Sequence, residues 1–133
     1  MMGHRKSESA AIIPRTRVMR GNVIALGPGK VELLAQLDQT HSITSAARNM
    51  GMSYMRAWTL IRTMNQSFRE PLVEALRGGK TGGGARLTSA GEKALRLYRA
   101  METKYRQSVQ SLSSELCEML APQMPASLRD RKK

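Results

Sequence analysis

The sequence predicts a mainly α fold with a small β wing, built on a helix-turn-helix and closed by a long C-terminal helix. Three observations predict it. Residues 43–50 and 54–68 read as two helices separated by a short turn containing Gly51. Two short strand-like runs then flank Gly78-Gly79-Lys80-Thr81-Gly82-Gly83-Gly84, five glycines in seven residues. Beyond them, apolar residues recur at spacings of three and four from Tyr98 to Met119. At 133 residues there is room for one modest domain and its tails.

Taken in order, residues 1 to about 17 mix Ser, Arg, Lys and Pro without periodicity and are expected to form a flexible basic tail. Arg17 to Leu26 holds two apolar runs around Gly21-Asn22, which fit one short strand or a hairpin. Gly27-Pro28-Gly29 breaks the chain and opens a helix from Lys30 to about Gln39, with Val31, Leu34 and Leu37 on one face. His41 stands at its end as a capping group. Ser42 or Thr44 caps the next helix, which Gly51 stops. Ser53 caps the helix from Tyr54 to about Phe68, whose Ala57, Trp58, Ile61 and Met64 share a face. Leu72–Arg77 and Ala85–Thr88 are short enough for strands of a hairpin with a long tip. Ser89 then caps a helix running from about Ala90 past Leu116, roughly 45 Å long at about 1.5 Å per residue, and Pro122 and Pro125 end it.

The charge balance is the outlier. Lys and Arg number 22 against 10 Asp and Glu, a net charge of +12. A surface that positive attracts polyanions, chiefly nucleic acid or an anionic membrane surface. No apolar run is long enough to span a bilayer, and the N-terminus lacks the apolar stretch of a secretory signal. Cys117 is the only cysteine, and with two histidines it makes a poor metal kit. His4 lies in the tail, His41 has no paired nucleophile, and no two carboxylates share an apolar setting, so an enzyme is not expected. The chain reads as cytoplasmic, with no cofactor and no metal.

The helix-turn-helix carries the strongest functional signal. Ala46 and Ala47 allow close approach of the second helix, and Ile61 and Met64 anchor it from beneath. Its outer face would present Ser53, Tyr54, Met55, Arg56, Thr59 and Arg62, residue types suited to reading the major groove of double-stranded DNA. Ser42 and Ser45 join them as contacts from the first helix. Between Asp38 and Glu70 there is no acidic residue, whereas Arg48, Arg56, Arg62 and Arg69 fall in that interval. Trp58 shares a face with Ile61 and is expected in the core, as are Met50, Met64 and Met101. Gly79-Lys80-Thr81 resembles the end of a nucleotide-binding loop, but Glu74 stands where that motif needs its first glycine. Lys80, Thr81 and Arg86 instead suit a phosphate backbone or a minor groove. Alone, the long helix would expose Tyr98, Tyr105, Leu112 and Leu116, so a homodimer through Leu95, Tyr98, Met101, Tyr105, Val109, Leu112 and Leu116 is expected.

Ser53-Tyr54-Met55-Arg56-Ala57-Trp58, continuing to Met64-Asn65-Gln66, and the later stretch from Gly78 to Thr88 resemble the N-terminal domain of ModE-type molybdate-responsive regulators. The shared patterns are S-Y-x-x-A-W…M-N and G-G-K-x-G-G-G-A-x-L-T, and the resemblance covers about Val18 to Tyr105. Ala46-Ala47…Met50…Met52-Ser53 alone also resembles LysR-type regulators. The resemblance implies a winged helix-turn-helix, dimerisation through the terminal helix, and a palindromic operator. It implies recognition contacts at Ser53, Tyr54, Met55 and Arg56, and wing contacts at Lys80, Thr81 and Arg86. The expected divisions are a tail over 1–17, the DNA-binding domain over 18–89, the dimerisation helix over 90–121 and a second basic tail over 122–133.

Full-length members of that family continue into molybdate-binding β-barrels, and only about 28 residues follow Tyr105 here. The expectation is therefore a regulator without a molybdate-sensing domain, acting constitutively, through another signal, or with a separate effector-sensing protein. A non-specific architectural DNA-binding protein and an adaptor for another regulator are the alternatives.

Overall fold

The structure, a computed structural model, describes residues 9–76 and 84–129. Arg15–Thr103 forms one compact unit, and a second takes in the described residues up to Pro14 and those from Lys104.

The first unit opens with a hairpin, which decides between the two readings of that segment. β1 (Val18–Arg20) and β2 (Val23–Leu26) pair antiparallel around Gly21, with a register shift between Val18 and Met19. α1 (Pro28–Thr40) starts with proline at its head, where a missing N–H costs nothing. It buries Val31, Leu33, Leu34, Ala35 and Leu37. His41 ends it in the left-handed conformation at φ 54°, and its N–H donates to the Leu37 carbonyl at 2.9 Å.

α2 (Ile43–Asn49) is capped by Ser42, whose hydroxyl accepts from the Ser45 N–H at 3.0 Å. Ile43, Ala46 and Ala47 are buried, so two methyl-sized side chains set the distance to the next helix. The turn uses Gly51 at φ 67°, a conformation that penalises any Cβ. α3 (Tyr54–Ser67) begins at the Ser53 cap, which accepts from the Arg56 N–H at 3.1 Å. Ala57, Ile61 and Met64 face inward.

β3 (Val73–Ala75) and β4 (Ala85–Leu87) are the two antiparallel strands at the root of the wing, with Val73 opposite Leu87 and Glu74 opposite Arg86. Residues 77–83, Lys80 and Thr81 among them, lie outside the described residues. α4 (Ser89–Ser108) follows. Its cap is Thr88 rather than the expected Ser89: the Thr88 hydroxyl accepts from the Gly91 N–H at 3.0 Å and donates to the Pro71 carbonyl at 2.7 Å. Leu33, Leu34, Leu37, Met64 and Leu72 are the large side chains most completely enclosed, so α1, α3 and the start of the wing meet at one centre.

The long helix differs from expectation in two ways. It divides at Val109, whose φ −105° and ψ 8° leave the helical well, and α5 (Gln110–Glu118) continues beyond. Ser108, a β-branched Val109 and Ser111 supply weak helix formers there. Backbone bonds from Val109 to Tyr105 and from Ser113 to Val109 nevertheless bridge the break. Second, Leu95 and Tyr98 are buried in the domain's own core, while Met101, expected inside, is exposed. The Tyr98 hydroxyl donates to the Thr16 carbonyl at 2.6 Å. In the second unit, Ala10–Ile12 and the helical residues Arg106 to Cys117 line a shallow recess, and a short helix, α6 (Ala126–Arg129), lies near the end.

α4 passes so close to β3 that a Cβ on Gly91 would collide with the Leu72 carbonyl oxygen. Gly91→Ala is expected to destabilise the fold by about 3 kcal/mol, measured by urea unfolding. Burial raises the Tyr98 phenol above its usual 10.0, Glu102 adds to the rise, and Arg15 opposes it. The fold thus favours the neutral phenol; its contribution is complete below about pH 10 and is lost as pH rises through the folded value. Tyr98→Phe should cost about 1 kcal/mol at neutral pH and flatten that alkaline limb of the stability profile.

Candidate nucleic-acid interface

The outer face of α3 follows from its buried stripe. Ala57, Ile61 and Met64 fix the inward direction, so residues at about half a turn from them must face solvent. Met55, Arg56, Thr59 and Arg62 are all exposed there, with Tyr54 and Ser53 at the N-terminal end. No carboxylate occurs between Asp38 and Glu70 to neutralise them.

Trp58 corrects the sequence reading. It is 39% exposed and lies off the core face. Each helical step turns about 100°, so a residue adjacent to a buried Ala57 points to the flank. The Arg62 guanidinium, one turn on, lies 5.4 Å from the indole centroid, within cation–π range. The pairing holds an arginine of the outer face against a flat apolar support. The spacing of 58 and 62 was visible in the sequence, and helical arithmetic applied to 57 and 58 would have found it.

The expected serine and threonine contacts already serve the backbone. Ser42 and Ser53 cap their helices, and Ser42 is only partly exposed, as is Ser45. The Thr59 hydroxyl donates to the Met55 carbonyl at 2.9 Å, which leaves its oxygen lone pairs as acceptors. Arg86 is exposed but occupied: its Nε donates to Glu74 at 2.8 Å across the hairpin. It can meet a phosphate only by sharing or leaving that carboxylate. Lys80 and Thr81 fall outside the described residues. Of the expected dimer positions, Met101, Tyr105, Leu112 and Leu116 are exposed, Val109 is half-buried, and Leu95 and Tyr98 are enclosed.

The two halves of this surface are tied together. The Asn65 carboxamide near the end of α3 accepts from the Leu72 and Val73 N–H groups at 2.8 and 3.1 Å and donates to the Val73 carbonyl at 2.9 Å. On the other strand, the Ala85 N–H donates to the His41 carbonyl at 3.1 Å, and Ser42 bridges to Gly84. The wing root is therefore bonded to α3 on one side and to the α1–α2 corner on the other.

Residues 29–92 match the family model for bacterial regulatory helix-turn-helix proteins of the lysR family. Molybdenum-pterin-binding protein MopB of Rhodobacter capsulatus is 43% identical over 91 residues, covering 68% of this chain and 34% of MopB. Molybdenum transport protein ModE of Azotobacter vinelandii is 37% identical over 105 residues, covering 79% of this chain and 39% of that protein. Transcriptional regulator ModE of Yersinia pestis is 40% identical over 88 residues, covering 66% and 34%. The matched stretch is similar to the N-terminal helix-turn-helix part of ModE-type proteins. The chain spans little more than a third of the length of these relatives. The fold is similar to that of the CbnR DNA-binding domain in its crystal structure with DNA, with a TM-score of 0.51 at 17% identity, covering 65% of this chain and 95% of that one. Among the described residues no three His, Cys, Asp or Glu side chains cluster as a metal site, and no helix is long and apolar enough to cross a membrane.

Asn65→Ala would leave the Leu72 and Val73 amides without their acceptor. It is expected to cost about 3 kcal/mol in chemical denaturation, and the amide protons of Leu72 and Val73 should lose protection first in hydrogen exchange.

Proposed function

We propose that the chain is a transcriptional regulator that binds double-stranded DNA by placing α3 in the major groove, with the glycine-rich wing over 78–84 following the backbone. The observation that carries this reading is the outward face of α3, where Arg56 and Arg62 stand among exposed Tyr54, Met55, Trp58 and Thr59 on a stretch without a carboxylate. Arginine bonds guanine bidentately through O6 and N7, and Met55 and Trp58 offer apolar surface for a thymine methyl. Neighbouring ModE regulators support the assignment by their names, and the CbnR domain supports it by its fold. We read the protein as a non-enzyme for the same reasons.

The same reading includes a homodimer on a palindromic operator. Met101, Tyr105, Leu112 and Leu116 are large exposed apolar side chains at near-helical spacing, and a second copy would remove them from water. Lys80, Thr81 and Arg86 are the proposed wing contacts, Arg86 after exchanging its carboxylate partner for a phosphate. Molybdate sensing and a separate effector-sensing protein stand outside what these residues support.

Fluorescence anisotropy tests the reading, with DNA from upstream of the protein's own gene against shuffled DNA, across a salt series, with and without molybdate. A preference of a few hundredfold or more at physiological salt is expected. Equal binding to both, collapsing together as salt rises, would replace a regulator with an architectural protein. Arg62→Ala should relax selectivity at one base position and weaken specific binding by roughly 1–3 kcal/mol. Because Trp58 is the only tryptophan, its emission should change on binding specific DNA and stay unchanged if α3 faces elsewhere. Sedimentation velocity should give twice the chain mass, and Leu112→Glu with Leu116→Glu should return it to a monomer.

A further inference from the structure

Beside the first turn of α3, the residues leading into β1 and the start of α1 enclose a recess of about 340 Å³. Arg15, Arg17, Lys30 and Arg56 line it over an apolar floor that includes Ile24 and Leu60. No acidic residue contributes to its walls. The one ion pair among the described residues, Arg86 with Glu74, lies at the wing root and neutralises none of these four. Lys30 is the most enclosed of them. Its ammonium group donates to the Ile24 carbonyl, a neutral acceptor, and burial lowers its pKa. Four cations gathered without a counter-charge repel one another, and an anion with several acceptor oxygens would relieve that repulsion through charge-assisted hydrogen bonds.

Position narrows the choice of anion. Arg56 belongs both to this recess and to the first turn of α3. An α-helix with its side chains is about 10–12 Å across and the major groove about 12 Å wide, so a helix seated there brings the bordering backbone against whatever stands beside it. We propose that this recess is the seat of one DNA backbone phosphate, gripped by Arg17, Lys30 and Arg56 with Arg15 at its rim. It sets how deep and at what angle α3 enters, and it carries no sequence information of its own. This rests on the reading of α3 as the groove-entering helix. A free oxyanion has the same chemistry, and the test separates the two sources.

The full chain is titrated with a labelled duplex of mixed sequence between about 50 and 200 mM salt, as wild type, Arg17→Gln, Lys30→Gln and the double variant, with Arg99→Gln, an exposed arginine of α4 outside the recess, as a charge-matched control. Melting temperatures are recorded throughout. The slope of log affinity against log salt should become shallower by about one for Arg17→Gln, for Lys30→Gln and for the double variant, and should not change for Arg99→Gln. Arg17 is exposed, so Arg17→Gln decides the matter even where Lys30→Gln fails to fold. Slopes that follow the Arg99→Gln control overturn the proposal. So does a rise of several degrees in melting temperature with inorganic phosphate or molybdate, at matched ionic strength, that the double variant loses while its DNA slope stays wild-type: the recess would then hold a free oxyanion. Wild-type protein that binds no duplex at low salt removes the DNA-binding reading and this seat together, whereas duplex binding with unaltered slopes removes the seat alone.

Discussion

Three hydrogen bonds from one side chain, Asn65, hold the rest of this domain in register. Asn65 sits near the last turn of α3 and takes both the donors and the acceptor of the Leu72–Val73 backbone. That fixes β3 against the helix, β3 sets β4 through the Val73–Leu87 pairing, and β4 returns to the His41 carbonyl. Leu72 then supplies the surface on which α4 packs without a side chain at Gly91. Buried amides satisfied by a single carboxamide make the arrangement stiff, because releasing it leaves several polar groups unpaired at once.

The helices were legible because their punctuation is local. Ser42, Gly51 and Ser53 mark ends by hydrogen bonding and by backbone conformation, and the structure uses each as its residue type suggests. Interactions that depend on register or on distant segments were not. Arg86 meets Glu74 only because Val73 pairs with Leu87, and the strand ends alone do not specify that. Thr88 displaced Ser89 as the cap because its hydroxyl also reaches the Pro71 carbonyl, a tertiary partner. Leu95 and Tyr98 followed the same apolar period as Met101 and Tyr105, and periodicity cannot say where along a helix its own core stops and open surface begins. Arg15, Lys30 and Arg56 come together from three separate segments.

On the candidate interface, the polar side chains divide by how free they are. Ser42 and Ser53 are committed to helix ends, Thr59 to the turn above it, and Arg86 to a carboxylate. Arg62 rests on an aromatic ring, which orients the guanidinium through its face and leaves the N–H donors at its edge directed away from the ring. A side chain oriented in this way surrenders less rotational freedom when it meets a ligand than a fully solvated arginine does.

The scarcity of ion pairs reaches beyond the wing root. With 22 basic residues, 10 acidic ones and one salt bridge among the described residues, most positive charge here has no internal counterweight. Unliganded protein therefore carries self-repulsion that dissolved ions screen, so electrolyte firms the fold. The same ions compete for any polyanion it holds, so electrolyte loosens the assembly. Ionic strength thus drives two equilibria of this molecule in opposite directions, and conditions chosen to keep the purified protein intact are the ones that strip it of a nucleic-acid ligand.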